Sequence, residues 1–202
     1  MLAAAASTPL LNARTFGQAI TAQPAGHGFG TDPDLTKIYR PGDVWPLTLS
    51  AAQRRSAAAL CNVILPDDGR SPSAESVGVV DFIDEWVSAP YPRQLEDRPI
   101  VLEGLAWMDA EALLRFEKYF AELDPSQQHA ICDDICYEPN AKPKFARAAA
   151  FFTRYRDLTV GGFYSTPAGS RDIGYIGNVP LQKFEGPPPE LLRKLGLGPG
   201  ST

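Results

Sequence analysis

Ser50-Ala-Ala-Gln-Arg-Arg-Ser-Ala-Ala-Ala-Leu-Cys-Asn-Val-Ile-Leu-Pro66 is the stretch that decides the fold. It opens as a capping box: the Ser50 hydroxyl can accept from the third helical N–H while Gln53 reaches back. Ala57, Leu60, Cys61 and Ile64 then follow at helical spacing and share one face. Pro66 stops the helix, because it has no N–H to donate and its ring clashes with the preceding turn.

Read outward, the same pattern repeats. Ser76 can cap a second helix with Val79, Ile83 and Trp86 on one side, ending before Ala89-Pro90. Pro99, at a first turn, opens a third helix that carries Val101, Leu105, Met108 and Ala112. That stripe either continues through Leu113, Phe116, Phe120 and Leu123 or breaks near Asp109. Asp124-Pro-Ser-Gln127 is a second capping box, and its helix aligns Gln128, Ile131 and Ile135. A fifth helix runs from about Lys144 to Leu158, with Phe145, Ala148, Phe152 and Tyr155 along one side. No run alternates apolar and polar residues over six positions as a half-buried strand does. The fold class is all-α, a single helical domain of about five helices.

The 202 residues are 44% hydrophobic and 21% charged, ordinary globular composition. A domain of this length buries roughly 70% of its unfolded surface and needs no staples. With 19 basic against 24 acidic residues the net charge is −5, which argues against nucleic acid as a partner. The 19 Pro and 17 Gly, 36 together, are uneven: ten fall in 1–46, fifteen in 161–202 and eleven in the 114 residues between. The chain therefore reads as a helical body, 47–160, between two extended Pro/Gly-rich arms, 1–46 and 161–202. The second arm carries Phe163, Tyr164, Tyr175 and Phe184, and aromatics on an extended segment need a surface to bury them. Either the arm folds back over its own helices or it embraces a partner. A short stretch, Glu190 to Leu195, reads as a terminal helix turn.

Residues 1–13 carry no charge, so neither the basic start of a secretory signal nor the arginine pair of a twin-arginine signal is present. The apolar run Ala3–Ala6 is too short to span a bilayer. Residues 1–22 are then either a plain flexible start or the later part of an export signal.

Chemistry finds little support. The two histidines are His27, in a Gly-His-Gly segment, and His129, on an ordinary amphipathic helix, and neither is set up as a base beside a nucleophile. Cys132-Asp-Asp-Ile-Cys136 has the wrong spacing for haem attachment and no second ligand cluster for zinc. Asp67-Asp-Gly69 is misplaced for a calcium loop, and Gly26, Gly28 and Gly30 precede no strand–helix unit. No catalytic, cofactor-binding or metal-binding residue is assigned. A thiol module using Cys132 and Cys136 would have to lower a thiolate pKa beside Asp133 and Asp134, which push it the other way. The three thiols Cys61, Cys132 and Cys136 are the disulfide candidates: one bond from the Cys132 helix to Cys61, one to another polypeptide, or three buried thiols.

Seven strings in order resemble the gluconate 2-dehydrogenase subunit 3 family. They are Ser71-Pro-Ser-Ala-Glu-Ser-Val-Gly-Val, Phe82-Ile-Asp-Glu-Trp-Val-Ser-Ala-Pro-Tyr-Pro, Gly104-Leu-Ala-Trp-Met-Asp, Asp133-Asp-Ile-Cys, Phe151-Phe-Thr-Arg-Tyr-Arg, Gly162-Phe-Tyr-Ser-Thr-Pro and Asp172-Ile-Gly-Tyr-Ile-Gly-Asn-Val-Pro. The resemblance covers roughly 47–190. It implies a non-catalytic small subunit of a bacterial sugar or polyol dehydrogenase. The partner would be a large FAD-containing flavoprotein of the glucose–methanol–choline type, and a c-type cytochrome carrying haem c often forms a third subunit. It also implies twin-arginine export of the folded pair to the periplasm, with the small subunit as escort. The missing arginine pair departs from this pattern, and truncation of the signal is the favoured explanation. An odd cysteine suits a covalent link to the partner there. On this reading the anchors are Trp107, Phe163, Tyr164, Pro167, Tyr175, Asn178 and Phe184. The competing reading is a stand-alone helical binding domain. The substrate is left open, because the flavoprotein pocket decides it.

Overall fold

The computed structural model describes residues 37–175, 177, 180, 182–183 and 186–197. The chain divides into two units, residues 1–38 and 39–202, and the helices of the described residues belong to the second. Most of the N-terminal arm, with His27, lies outside the described residues, as do Asn178 and Phe184.

Seven α-helices and three short 3₁₀ turns make up the described residues, with no strand. The fold is all-α. α1 (Ala51–Ile64) starts on the capping box read from sequence: Ser50 Oγ accepts from the Gln53 N–H at 3.3 Å, and Gln53 accepts from the Ser50 N–H at 2.9 Å. α2 (Val79–Ser88) starts after Gly78, whose φ of 87° turns the chain into the helix. Ser76 is not its cap. Its hydroxyl donates instead to the Ser73 carbonyl, inside the turn that precedes Gly78.

α3 (Pro92–Phe116) is the longest helix and begins seven residues before the expected Pro99. Pro92 takes the first-turn position, where a missing N–H has no intrahelical partner to lose. Pro99 sits inside the helix on its exposed side, so the carbonyl of Leu95 that it leaves unpaired can turn to water. The helix does not break near Asp109, nor does it reach Phe120. It stops at Glu117, the described non-glycine residue with a left-handed backbone (φ 57°). Phe120 returns to the core from a 3₁₀ turn, Phe120–Glu122.

α4 (Pro125–Cys132) uses the second capping box, with the Gln127 N–H donating to Asp124 at 2.9 Å. It ends before Ile135, which is buried all the same. α5 (Ala146–Tyr164) starts later than expected and runs six residues further, straight through Gly161-Gly162. Helix α6 (Pro167–Asp172) follows directly, its N–H of Gly169 capped by Thr166 Oγ1 at 3.1 Å. Residues 161–172 are therefore largely helical and not part of an extended arm. Gly162 is needed for packing: a Cβ there would lie 2.7 Å from the Phe82 ring. α7 (Pro189–Lys194) is the expected terminal turn.

The core sits where α3 and α5 pack on each other and on α1 and α2. Leu60, Ile83, Leu105, Met108, Phe151 and Tyr155 are its largest contributors among these helices. Each fully buried Leu, Ile, Met or Phe contributes roughly 1.5–3 kcal/mol over an exposed one. Tyr155, wholly buried, satisfies its hydroxyl by donating to the Ala57 carbonyl at 2.9 Å. No described helix is long and apolar enough to cross a membrane.

Candidate partner-binding surface

Four carboxylates hold the helices in place. Asp84, fully buried on α2, accepts the backbone N–H groups of Thr48 and Leu49 at 3.1 and 3.0 Å and Arg54 of α1 at 2.7 Å. Asp97 of α3 takes the Trp86 indole N–H at 2.8 Å and a two-pronged contact from Arg154 of α5. Arg154 also lies 5.7 Å from the Trp86 ring centroid, a cation–π placement. Asp109 accepts from Ser56 at 2.8 Å and from the Phe120 N–H at 3.2 Å, fixing α1 and the turn after α3 to one point. Asp172 accepts from Tyr164 and from Ser71, joining α6 to the loop after α1. No buried side-chain nitrogen or oxygen among the described residues lacks a partner. Nor do these residues contain a cluster of three His, Cys, Asp or Glu that could hold a metal.

The cysteines divide. Cys61 is buried beside the Tyr155 hydroxyl at 3.5 Å, and burial pushes its thiol up to about 11. Cys132 is buried too; burial, then the charge of Asp133, push it up to about 12. Cys136 is exposed just past the end of α4. All three are free thiols, so the expected bond from Cys132 or Cys136 to Cys61 is not formed. Cys61 is committed to the interior, against Tyr155 and Thr159. A thiol of such high pKa is a poor nucleophile, which counts against a redox pair built on Cys132. His129 is exposed on α4.

The partner anchors read from sequence separate into three groups. Phe163 is only 2% exposed, on α5 and in the core, so it is not available to a partner. The glycines before it suggest an arm, but the close packing of Gly162 on Phe82 suits a helix instead. Tyr164 is half-buried, its ring edge-on to Phe163 at 5.1 Å and its hydroxyl on Asp172. Pro167 starts α6 and is exposed. Tyr175, 64% exposed, stands just beyond α6 with Ile173, which the sequence reading passed over.

Trp107 lies elsewhere, in a trough of about 410 Å³ between α3 and α5. Ile100, Glu103 and Trp107 form the α3 wall; Arg147 and Ala150 form the α5 wall, and Phe151 and Gly104 lie between. Gly104 opens room for the Phe151 ring, since a Cβ would fall 2.0 Å from it. Trp107 is braced edge-on against Phe145 at 5.6 Å. Sequence reading found Trp107 but missed Ile100, although the seven-residue step between them puts both on one stripe.

The helical body uses its charged groups to brace its own helices and leaves an aromatic-lined trough between α3 and α5. The family described as Gluconate 2-dehydrogenase subunit 3 matches residues 51–183. The chain belongs to that family, whose name places it among the subunits of a dehydrogenase complex. Neither the curated proteins nor the solved structures yield a match to this chain.

Proposed function

We propose that this chain is the non-catalytic small subunit of a periplasmic, FAD-dependent dehydrogenase complex acting on a sugar, sugar acid or glycoside. It binds and stabilises a flavoprotein of the glucose–methanol–choline type and escorts it through twin-arginine export. A c-type cytochrome would carry the electrons onward in assemblies that have one. The observation that carries this reading is the family match over 51–183. The exposure of Cys136 supports the further idea of a covalent link to the flavoprotein in an oxidising compartment.

The test is co-expression of the tagged chain with its neighbouring open reading frames. A yellow, FAD-bearing complex in the eluate supports the reading; a colourless monomer with its own turnover overturns it. A non-reducing gel of the complex tests the covalent link, and the absence of a high-mass band that Cys136→Ser removes would end that part.

A further inference from the structure

Two arginines line one pocket with no carboxylate to hold them. The pocket, of about 320 Å³, lies between the loop after α1 and helix α6, and its lining is Arg70, Ser71, Pro72, Ala168, Arg171 and Asp172. Elsewhere in the fold Arg54, Arg115 and Arg154 are each tied to carboxylates. The guanidiniums of Arg70 and Arg171 make no hydrogen bond or ion pair among the described residues.

The acidic groups nearby are committed to shaping the walls. Asp68 accepts the backbone N–H groups of Arg70 at 2.9 Å and Ser71 at 2.8 Å, which fixes the loop. Ser71 Oγ donates to one oxygen of Asp172, and the Tyr164 hydroxyl donates to the other at 3.3 Å, so the loop is clasped to α6. Past Asp172 the chain closes in a Schellman turn. Gly174 (φ 66°) donates to the Arg171 carbonyl at 3.0 Å, and Tyr175 to the Ser170 carbonyl at 2.8 Å. Ile173 and Tyr175, both largely exposed, are thus held on an ordered backbone directly after the last wall residue.

The charges set what fits. The two arginines against Asp172 leave the lining with one net positive charge, which suits a singly charged carboxylate. A phosphate dianion would set surplus negative charge against Asp172. The planar guanidinium fork matches a carboxylate with two parallel N–H bonds. A free small anion would leave Ile173 and Tyr175 uncovered, whereas a polypeptide can use both; Arg and Tyr are the residue types that dominate binding hot spots.

We infer that the Arg70–Arg171 pocket receives an Asp or Glu side chain of the dehydrogenase subunit, whose flanking residues cover Ile173 and Tyr175. This rests on the small-subunit reading above and adds to it a docking point and the charge of the partner group. Sequence reading singled out Tyr175 but passed over both arginines.

The experiment uses the full chain with the co-expressed flavoprotein subunit. Arg70→Glu combined with Arg171→Glu changes two exposed positions, so its circular dichroism melt should match the wild type. Its affinity for the flavoprotein should fall by roughly 10-fold or more. Arg70→Lys combined with Arg171→Lys keeps the charge but not the fork, and should lose less. Arg55→Glu, an exposed arginine of α1 outside this pocket, should stay within about 2-fold. In the lysine pair a carbodiimide should join Lys to an Asp or Glu of the flavoprotein, identified by mass spectrometry. Unchanged affinity of the Glu pair, or an equal loss from Arg55→Glu, overturns the inference while the small-subunit reading stands. So does a cross-link only to the chain's own residues 176–202 or to a second copy. If the wild-type chain forms no complex with the flavoprotein, the small-subunit reading fails and this inference with it.

Discussion

Arg154 reaches across from α5 to clamp Asp97 of α3 with two N–H groups, on a carboxylate that already holds the Trp86 indole. Three helices meet on that one side chain. Burial pulls the Asp97 carboxyl toward the neutral form, but the hydrogen bonds from Arg154 and Trp86 outweigh it and hold it below the usual carboxylate range. The stability it contributes is therefore complete above the unfolded value of about 3.9 and is lost as pH falls through the lower folded one. Asp97→Ala should cost about 3 kcal/mol at pH 7, the effect of stranding a nearly buried arginine. In urea titrations the gap between wild type and Asp97→Asn should stay constant from pH 8 to 5 and narrow below about 4. A gap that does not change with pH would show the ion pair to be energetically silent.

Asp84 should matter for a different reason. It serves backbone amides of the segment leading into α1 as well as Arg54, so Asp84→Ala would leave the buried Leu49 N–H without an acceptor, while the Thr48 N–H keeps Ser88 Oγ at 2.8 Å and Arg54 keeps Asp81. A loss of about 3 kcal/mol is expected. Hydrogen exchange should speed up first at the Leu49 amide, and protection there equal to wild type would contradict the assignment.

Gly104→Ala places a methyl group where the Phe151 ring lies. The ring must move within a packed core, which should cost about 1–3 kcal/mol or more. Thermal melts should show the loss, and adding Phe151→Leu should recover part of it. A Gly104→Ala protein with an unchanged melting temperature would mean that the ring swings aside freely.

Thiol titration should separate the cysteines. With an aromatic disulfide reagent at pH 8, Cys136 should react quickly, whereas Cys61 and Cys132 should react only after denaturation. More than one fast thiol in the native protein would require an opening that the packing does not contain.

The parts legible in the sequence are those governed by neighbours along the chain. Both capping boxes form as read, because Ser50 with Gln53 and Asp124 with Gln127 need only their own turn. The misreadings turn on how a residue is placed in the folded chain. Pro99 looks like a helix start, yet it is tolerated mid-helix because its unpaired carbonyl faces solvent. Gly161-Gly162 looks like the root of an arm, but the close approach of Phe82 makes glycine the residue that fits at 162. Of the candidate surface, Trp107 is visible as a lone tryptophan in a family-like string. Its neighbours Arg147, Ala150 and Phe151 come from α5, and only the folded antiparallel pair brings them alongside.

Phe163 carries a practical consequence for anyone trimming this chain. Composition invites a cut at residue 160, where proline and glycine become frequent. Such a fragment would lose the last turn of α5, leave a phenylalanine-sized void in the core, and drop the Asp172 clasp on Ser71. The smallest piece with an intact interior ends no earlier than α6, near residue 172.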